Sequence, residues 1–369
     1  MIPDKIKTRI LELYEERYTG FGPTLATEKL LEIDKIGLSR ETLRSWLREK
    51  GIEYRGRKRR PHRQWRQRKR YFGEMIQMDG SHHDWLEGRG PECVLMGYVD
   101  DATGNVFARF YPYEGTIPAM DSFKRYIKRY GIPLSLYLDK HTTYKSTKKL
   151  SEWEEFEGIE PLSQFERALE ELGVEVIHAH SPQAKGRIER QFGTFQDRLI
   201  KEMRLKGIKT IEEANRFLRY YLPIYNKRFS LKPAEELDLH RVIPGDLDLD
   251  RILCVKTERT LRNDFTIAHN NKLYQIKDNV RTRKVMVEDR TDGTMLISYK
   301  DTILKFKEIS TRPRRIEEPP KPPLLKLKRT YIPPADHPWR KFKVNSQYRP
   351  YEQKENGSQK EQKLLLTKT

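Results

Sequence analysis

Cysteine is nearly missing from this chain: Cys93 and Cys254 are the only two in 369 residues. Two thiols make neither a disulfide framework nor a cysteine zinc cluster, and they fit a reducing cytoplasm. There is no run of about 18 apolar residues, so nothing in the sequence reads as a membrane-spanning helix. The opening residues, MIPDKIKTRI, lack the apolar stretch of a signal peptide. No internal repeat is visible. Acid is short relative to base, with 54 Asp and Glu against 73 Lys and Arg and a net charge of +19. Balanced surface pairs do not leave a surplus of this size. It points to a polyanionic partner, nucleic acid first and a membrane surface second. The length calls for more than one domain.

Residues 1–54 read as three short helices. Ile6, Ile10, Leu13 and Tyr14 recur at helical spacing. Pro23 suits a first helical turn, with Leu25, Leu30 and Leu31 as its apolar face. Ser39 is a good N-cap for a third helix whose inner side is Leu43, Trp46 and Leu47 and which Gly51 can end. On its outer side Arg40, Arg44 and Arg48 stand four apart. A helix, a short turn and an arginine-bearing second helix form the helix-turn-helix pattern, in which arginines suit guanine and phosphate contacts. A solvated basic face on a small helical bundle is the plainer alternative.

Residues 55–70, RGRKRRPHRQWRQRKR, hold ten Lys or Arg and no acid. Such a run repels itself and packs no core, so it reads as a basic linker. Arg57, Lys58, Arg59 and Arg60 are its candidate phosphate contacts.

From 71 to 240 short apolar runs take over: EMIQMDGS, ECVLMGYVDDATG and NVFARFYPYE, with DDATG as the turn between the last two. A helix over 116–130, a strand PLSLYLD, a helix over 163–172, a strand VEVIHA and long helices over 184–206 and 210–227 follow. Three antiparallel strands followed by alternating helix and strand predict a multidomain α/β chain built on a mixed sheet. Residues 245–310 return to strands with hairpin turns at HNN and TDG, and are expected to form a small antiparallel β-barrel. Residues 311–369 carry nine of the 21 prolines and read as a basic, mostly disordered tail. Within it PPADHPWRKFKV has enough apolar content to dock.

Three acids stand out. Asp79 lies inside the first strand run, Asp139 ends the strand LSLYLD, and Glu189 sits on the helix AKGRIERQFGTFQDRL. Ile188, Phe192, Phe195 and Leu199 form that helix's apolar stripe, and Glu189 lies at the stripe's edge. An acid from an inner strand, one from a strand end and one from an adjoining helix can converge. Phosphodiester cleavage gives a reason to gather them, since two hard cations held by carboxylates stabilise both the attacking and the leaving oxygen. Taken singly, Asp79 also suits a turn, Asp139 a helix cap and Glu189 a surface. Asp100 and Asp101 read as turn or cap residues.

The words around these acids narrow the choice. QMDGS and HDW around Asp79, VDDATG at 99–104, YLDKH around Asp139 and HAHSPQAKGRIERQFGTFQDRL around Glu189 resemble the retroviral integrase and bacterial transposase superfamily, and most of all the ISNCY-type insertion-sequence transposases. FGPTLATEKL, SRETLRSWL and PPADHPWR are similar to the same family, so the resemblance covers nearly the whole chain. It implies a ribonuclease H-like core and a DDE triad at Asp79, Asp139 and Glu189. It also implies Mg²⁺ or Mn²⁺, two ions per site under the chemistry above, and end cleavage followed by strand transfer. The expected partners are terminal inverted repeats, target DNA and further copies of the chain in a dimer or larger assembly. Lys140, Lys185 and Arg187, which flank the acids, are candidate DNA contacts. The chain departs from integrases in lacking a histidine-cysteine zinc module and in the longer spacing from Asp139 to Glu189, which the charged stretch KSTKKLSEWEEFEGIEPL accounts for. Relatives of this kind extend further upstream. Two rival readings are a catalytically silent DNA-binding regulator on the same fold and a ribonuclease H or junction nuclease.

Overall fold

The computed structural model describes residues 3–52, 54, 66–139, 162–178, 186–300, 302–310 and 332–341. The chain divides into two compact units, Met1–Arg312 and Pro313–Thr369. The described part of the second holds one 3-10 turn, Pro338–Arg340.

The first unit opens with α1 (Asp4–Arg17), α2 (Pro23–Glu32) and α3 (Arg40–Glu49). Pro23 takes the first turn of α2, and the Ser39 hydroxyl accepts the Thr42 N–H at 3.0 Å to cap α3. Gly51, at φ 68°, lets the chain leave α3 by a left-handed turn. Ile10, Leu13, Tyr14, Leu25, Leu30, Leu43 and Leu47 close a core of their own, whereas Ile6 and Leu31 are exposed. Helical spacing finds a stripe but does not fix how far around the helix the neighbours reach.

The central sheet has the order β3-β2-β1-β4-β5. Its strands are β1 (Met75–His83), β2 (Cys93–Asp100), β3 (Val106–Tyr111), β4 (Ser135–Leu138) and β5 (Glu175–His178). The first three are antiparallel neighbours, and β4 and β5 run parallel to β1. Period-two alternation sorts the side chains. Ile76, Met78, Met96, Tyr98, Leu136 and Leu138 face α4 (Thr116–Tyr130) and α5 (Gln164–Glu171). On the other face Leu95, Val99, Ala108 and Phe110 pack against α6 (Gly186–Leu205) and α7 (Ile211–Phe229). This three-layer mixed sheet is a ribonuclease H-like α/β fold.

The outer strand β3 would expose a ladder of unpaired backbone groups, a liability in any open sheet. Two amides of α7 cover it. Asn215 accepts the Phe110 N–H at 2.8 Å and donates to the Phe110 carbonyl at 3.0 Å, and Asn226 does the same for Val106 at 2.9 and 2.8 Å. Gln164 treats Lys256 likewise at 2.9 and 3.0 Å, on the outer strand of a later sheet.

The N-terminal helices dock on the far end of α6. Leu205 joins their core, Arg204 donates to the Thr19 carbonyl at 2.9 Å, and Lys29 pairs with Glu202 at 2.7 Å. Glu28 bridges Arg198 of α6 and Arg228 of α7. Beyond α7 a helical turn, Leu249–Ile252, leads to β6 (Cys254–Thr260), β7 (Thr266–His269), β8 (Lys272–Ile276), β9 (Lys284–Arg290), β10 (Met295–Tyr299), β11 (Thr302–Leu304) and β12 (Phe306–Ile309). They are hydrogen-bonded as a four-stranded and a three-stranded antiparallel sheet around one core. Asn270 and Asn271, at φ 46° and 59°, form the tight turn that joins β7 to β8.

Candidate active site

Strand parity places Gln77, Asp79 and Ser81 on the α6 face of β1. The parallel register pairs Gln77 with Tyr137. Asp79 and Asp139 each follow two residues beyond this last pair on neighbouring strands, Asp139 being the first residue past β4. Both are half-buried. The Asp79 Oδ1 accepts the Gly80 N–H at 3.1 Å.

Glu189 lies in the first turn of α6, where the positive helix end favours a carboxylate. Two contacts hold that turn to the sheet. The Ile188 N–H donates to the Gln77 Oε1 at 3.2 Å. Four residues on, Phe192 lies over Gly97, where a Cβ would come within 2.7 Å of the ring. Gly97 is the cross-strand partner of Asp79. Glu189, between Ile188 and Phe192, thus belongs to the helical turn that crosses β1 beside Asp79. The absence of a side chain at Gly97 is what lets α6 come this close.

As donors the three acids fit a hard divalent cation, because all offer carboxylate oxygens. Among the described residues, however, no three His, Cys, Asp or Glu side chains are gathered tightly enough to hold a metal ion. The two cysteines add no nucleophile. Both are buried, and burial pushes each thiol up to about 11.

Asp100 and Asp101 differ from each other. Asp100 holds the DATG turn, accepting the Thr103 N–H and hydroxyl at 2.7 Å each and the Gly73 N–H at 3.0 Å. Burial raises its pKa above the usual carboxylate value, against those hydrogen bonds. Asp101 lies in the same turn but is far more than a turn residue. It is fully buried and accepts from the Gln77 amide at 2.9 Å, the Lys69 N–H at 2.9 Å, Arg187 at 2.7 Å and Arg66. Gln77 consequently joins Asp101 to the first turn of α6. The sequence offered one sign of this: a glutamine inside the apolar run EMIQMDGS must find partners if buried.

The candidate DNA contacts fall into three groups. Arg40 and Arg48 of α3 are exposed, and Arg44 is half-buried and paired with Glu41 at 2.5 Å. Arg187 is engaged by Asp101 and the Arg66 carbonyl, with its side chain 13% exposed. Burial lowers its pKa, Asp101 opposing that shift. Arg57, Lys58, Arg59, Arg60, Lys140 and Lys185 lie outside the described residues. No helix among the described residues is long and apolar enough to cross a membrane.

No family model matches the chain. Over 315 residues it is 38% identical to a putative transposase, y4bF, of Sinorhizobium fredii, a match spanning 83% of this chain and 67% of that protein. Over 385 residues it is 30% identical to the transposase for insertion sequence IS1202 of Streptococcus pneumoniae, spanning 92% and 80%. Among solved structures, the catalytic core domain of BIV integrase is 20% identical with a TM-score of 0.29, covering 39% of this chain and 79% of that one. The HTLV-2 integrase catalytic core domain in complex with magnesium is 18% identical with a TM-score of 0.30, covering 40% and 82%. Scores this low carry no argument, and kinship rests on the two long sequence matches. By those matches, this chain belongs to the insertion-sequence transposases.

Proposed function

We propose that the protein is a DDE transposase that cleaves the 3′ ends of an insertion sequence and joins them to target DNA, with Asp79, Asp139 and Glu189 as its catalytic acids. The observation that supports this reading is that Asp79 and Asp139 each follow the last register pair of two parallel neighbours by two residues, while the helical turn that bears Glu189 is tied to that pair through Gln77. Two Mg²⁺ or Mn²⁺ ions bound there would lower the charge on the attacking and leaving oxygens. The three carboxylates supply the negative charge that keeps such ions at this end of the sheet. Gln77 and Asp101 hold β1 and α6 in register, so that the acids approach from fixed directions. The helix-turn-helix of residues 1–54 would read terminal inverted repeats with Arg40, Arg44 and Arg48. The basic linker, the small β-barrel of 245–310 and the flanking cations Lys140 and Lys185 would hold backbone phosphates. Joining two ends requires a dimer or larger assembly on DNA.

The test is nicking of repeat DNA in Mg²⁺ or Mn²⁺ by the full chain and by Asp79→Asn, Asp139→Asn and Glu189→Gln. Wild type should nick at the 3′ ends, and each variant should lose both nicking and strand transfer while still binding repeat DNA. Nicking that persists in all three variants would refute the triad. A wild type that binds repeats without cutting in any metal would leave the regulator reading in its place.

A further inference from the structure

The far edge of the sheet carries a feature that the triad does not use. Between α4 and α7, along the outer strand β3, run two clefts of about 360 and 450 Å³. They share Arg129 and Tyr130 and so form one trough. No acid lines either cleft. Lys128 and Arg129 stand at the end of α4 and Arg219 faces them from α7, all exposed. Lys227 and Lys232 continue the line, also exposed. None of these five makes an ion pair with a described residue. Arg109 lies deeper, and Arg125 is exposed beside it. Their charge is offset in part by Asp121, which accepts from Tyr111 at 2.6 Å and Arg125 at 2.8 Å.

The trough donates hydrogen bonds and hardly accepts them. Asn215 and Asn226 are already engaged with β3, and the Asn105 amide oxygen accepts from the Asn226 amide at 2.9 Å. That leaves a lining dominated by cations able to grip phosphate rather than by amides able to read a base edge. Arg219 and Lys227 are separated by roughly 12 Å along α7 at about 1.5 Å per residue. A DNA strand advances about 3.4 Å per nucleotide, so this is the length of roughly three or four phosphates. A second copy of the chain is the other candidate occupant. A two-fold contact through this face would set the same unpaired cations against each other, which opposes it.

We propose that the trough between α4 and α7 is a second DNA site, which grips the phosphate backbone of duplex DNA without reading sequence. It lies on the outer edge of the sheet, two strands away from Asp79. The inference rests on the reading that DNA is the substrate, and extends it to a surface that neither the triad nor the N-terminal helices account for.

The test uses the full chain and a random-sequence duplex. Lys128→Ala, Arg129→Ala and Arg219→Ala are combined, and affinity is followed across salt concentrations. Each phosphate contact contributes about 0.9 to the slope of log affinity against log salt, so the triple variant should lose roughly 2 to 3 from that slope. Preference for repeat over random DNA should be kept. A control, Lys206→Ala with Lys209→Ala, removes exposed cations elsewhere. An unchanged slope in the triple variant, or an equal loss per charge in the control, overturns the proposal. A photocrosslinker at position 219 should yield DNA adducts, and adducts to a second copy instead would also overturn it. Wild-type nicking of repeat DNA, measured alongside, reports on the triad and leaves the slope test unaffected.

Discussion

Asp101 is the residue whose replacement tests most of the architecture at once. Its carboxylate is fully buried, and it neutralises Arg187, itself 13% exposed, while also holding Arg66, the Lys69 N–H and the Gln77 amide. Removing one member of a buried pair strands the other charge, which costs about 3–5 kcal/mol. Arg66 is 42% exposed and can regain water, so it adds little to that figure. Asp101→Ala should therefore destabilise the first unit by about 3 to 5 kcal/mol, read from the urea midpoint by circular dichroism. Adding Arg187→Met should recover most of the loss, because no buried charge is then left unpaired. Gln77 also accepts the Ile188 N–H, one residue from Glu189. Nicking by Asp101→Ala should accordingly fall by more than the loss of folded protein explains. A midpoint within about 1 kcal/mol of wild type, or a double variant no more stable than the single one, would refute this account of the network.

Three further outcomes follow from the same structure. Burial pushes the Glu28 carboxyl up, and the Arg198 and Arg228 hydrogen bonds outweigh that, so its pKa lies below the ordinary 4.5. Its stabilisation of the docked helices is then complete above 4.5 and is lost as pH falls through the lower folded value, so amide exchange in α1–α3 should quicken there before exchange in the sheet does; simultaneous loss would count against it. Asn215→Ala leaves the buried Phe110 N–H and carbonyl without partners, at about 1–3 kcal/mol for each such group, and an unchanged thermal midpoint would show that α7 does not seal the edge. The segment PPADHPWRKFKV of the second unit should gain exchange protection when the full chain binds repeat DNA; equal exchange with and without DNA would rule out docking.

Much of the fold was legible because its signals are local. The helix expected over 116–130 is α4, Thr116–Tyr130. Ser39, Pro23 and Gly51 marked helix ends through interactions spanning only a few residues. Strand parity put Asp79 on one face of β1, and the end of an apolar run put Asp139 at the tip of β4. The stripe of Ile188, Phe192, Phe195 and Leu199 fixed which side of α6 meets the sheet, and so where Glu189 could lie. The element that carries or adjoins each acid was therefore readable before any tertiary contact was known.

Other features depended on partners far away in sequence. Asp101 read as half of a turn, since DDATG is a turn signal whichever aspartate does the work, and only the fold brings Arg187 and Gln77 to it. Arg187 read as a DNA contact for the same reason: a cation beside an acid in sequence carries no record of a buried carboxylate 86 residues away. The cations of the trough come from β3, α4 and α7, and no window of sequence shows them as one surface. Periodicity, capping and charge runs act over a few residues, so the chain by itself determined the elements, their inner faces and the surplus of positive charge. Burial of a polar group is settled by what packs against it, and that choice, made between residues about a hundred positions apart, belonged to the tertiary structure alone.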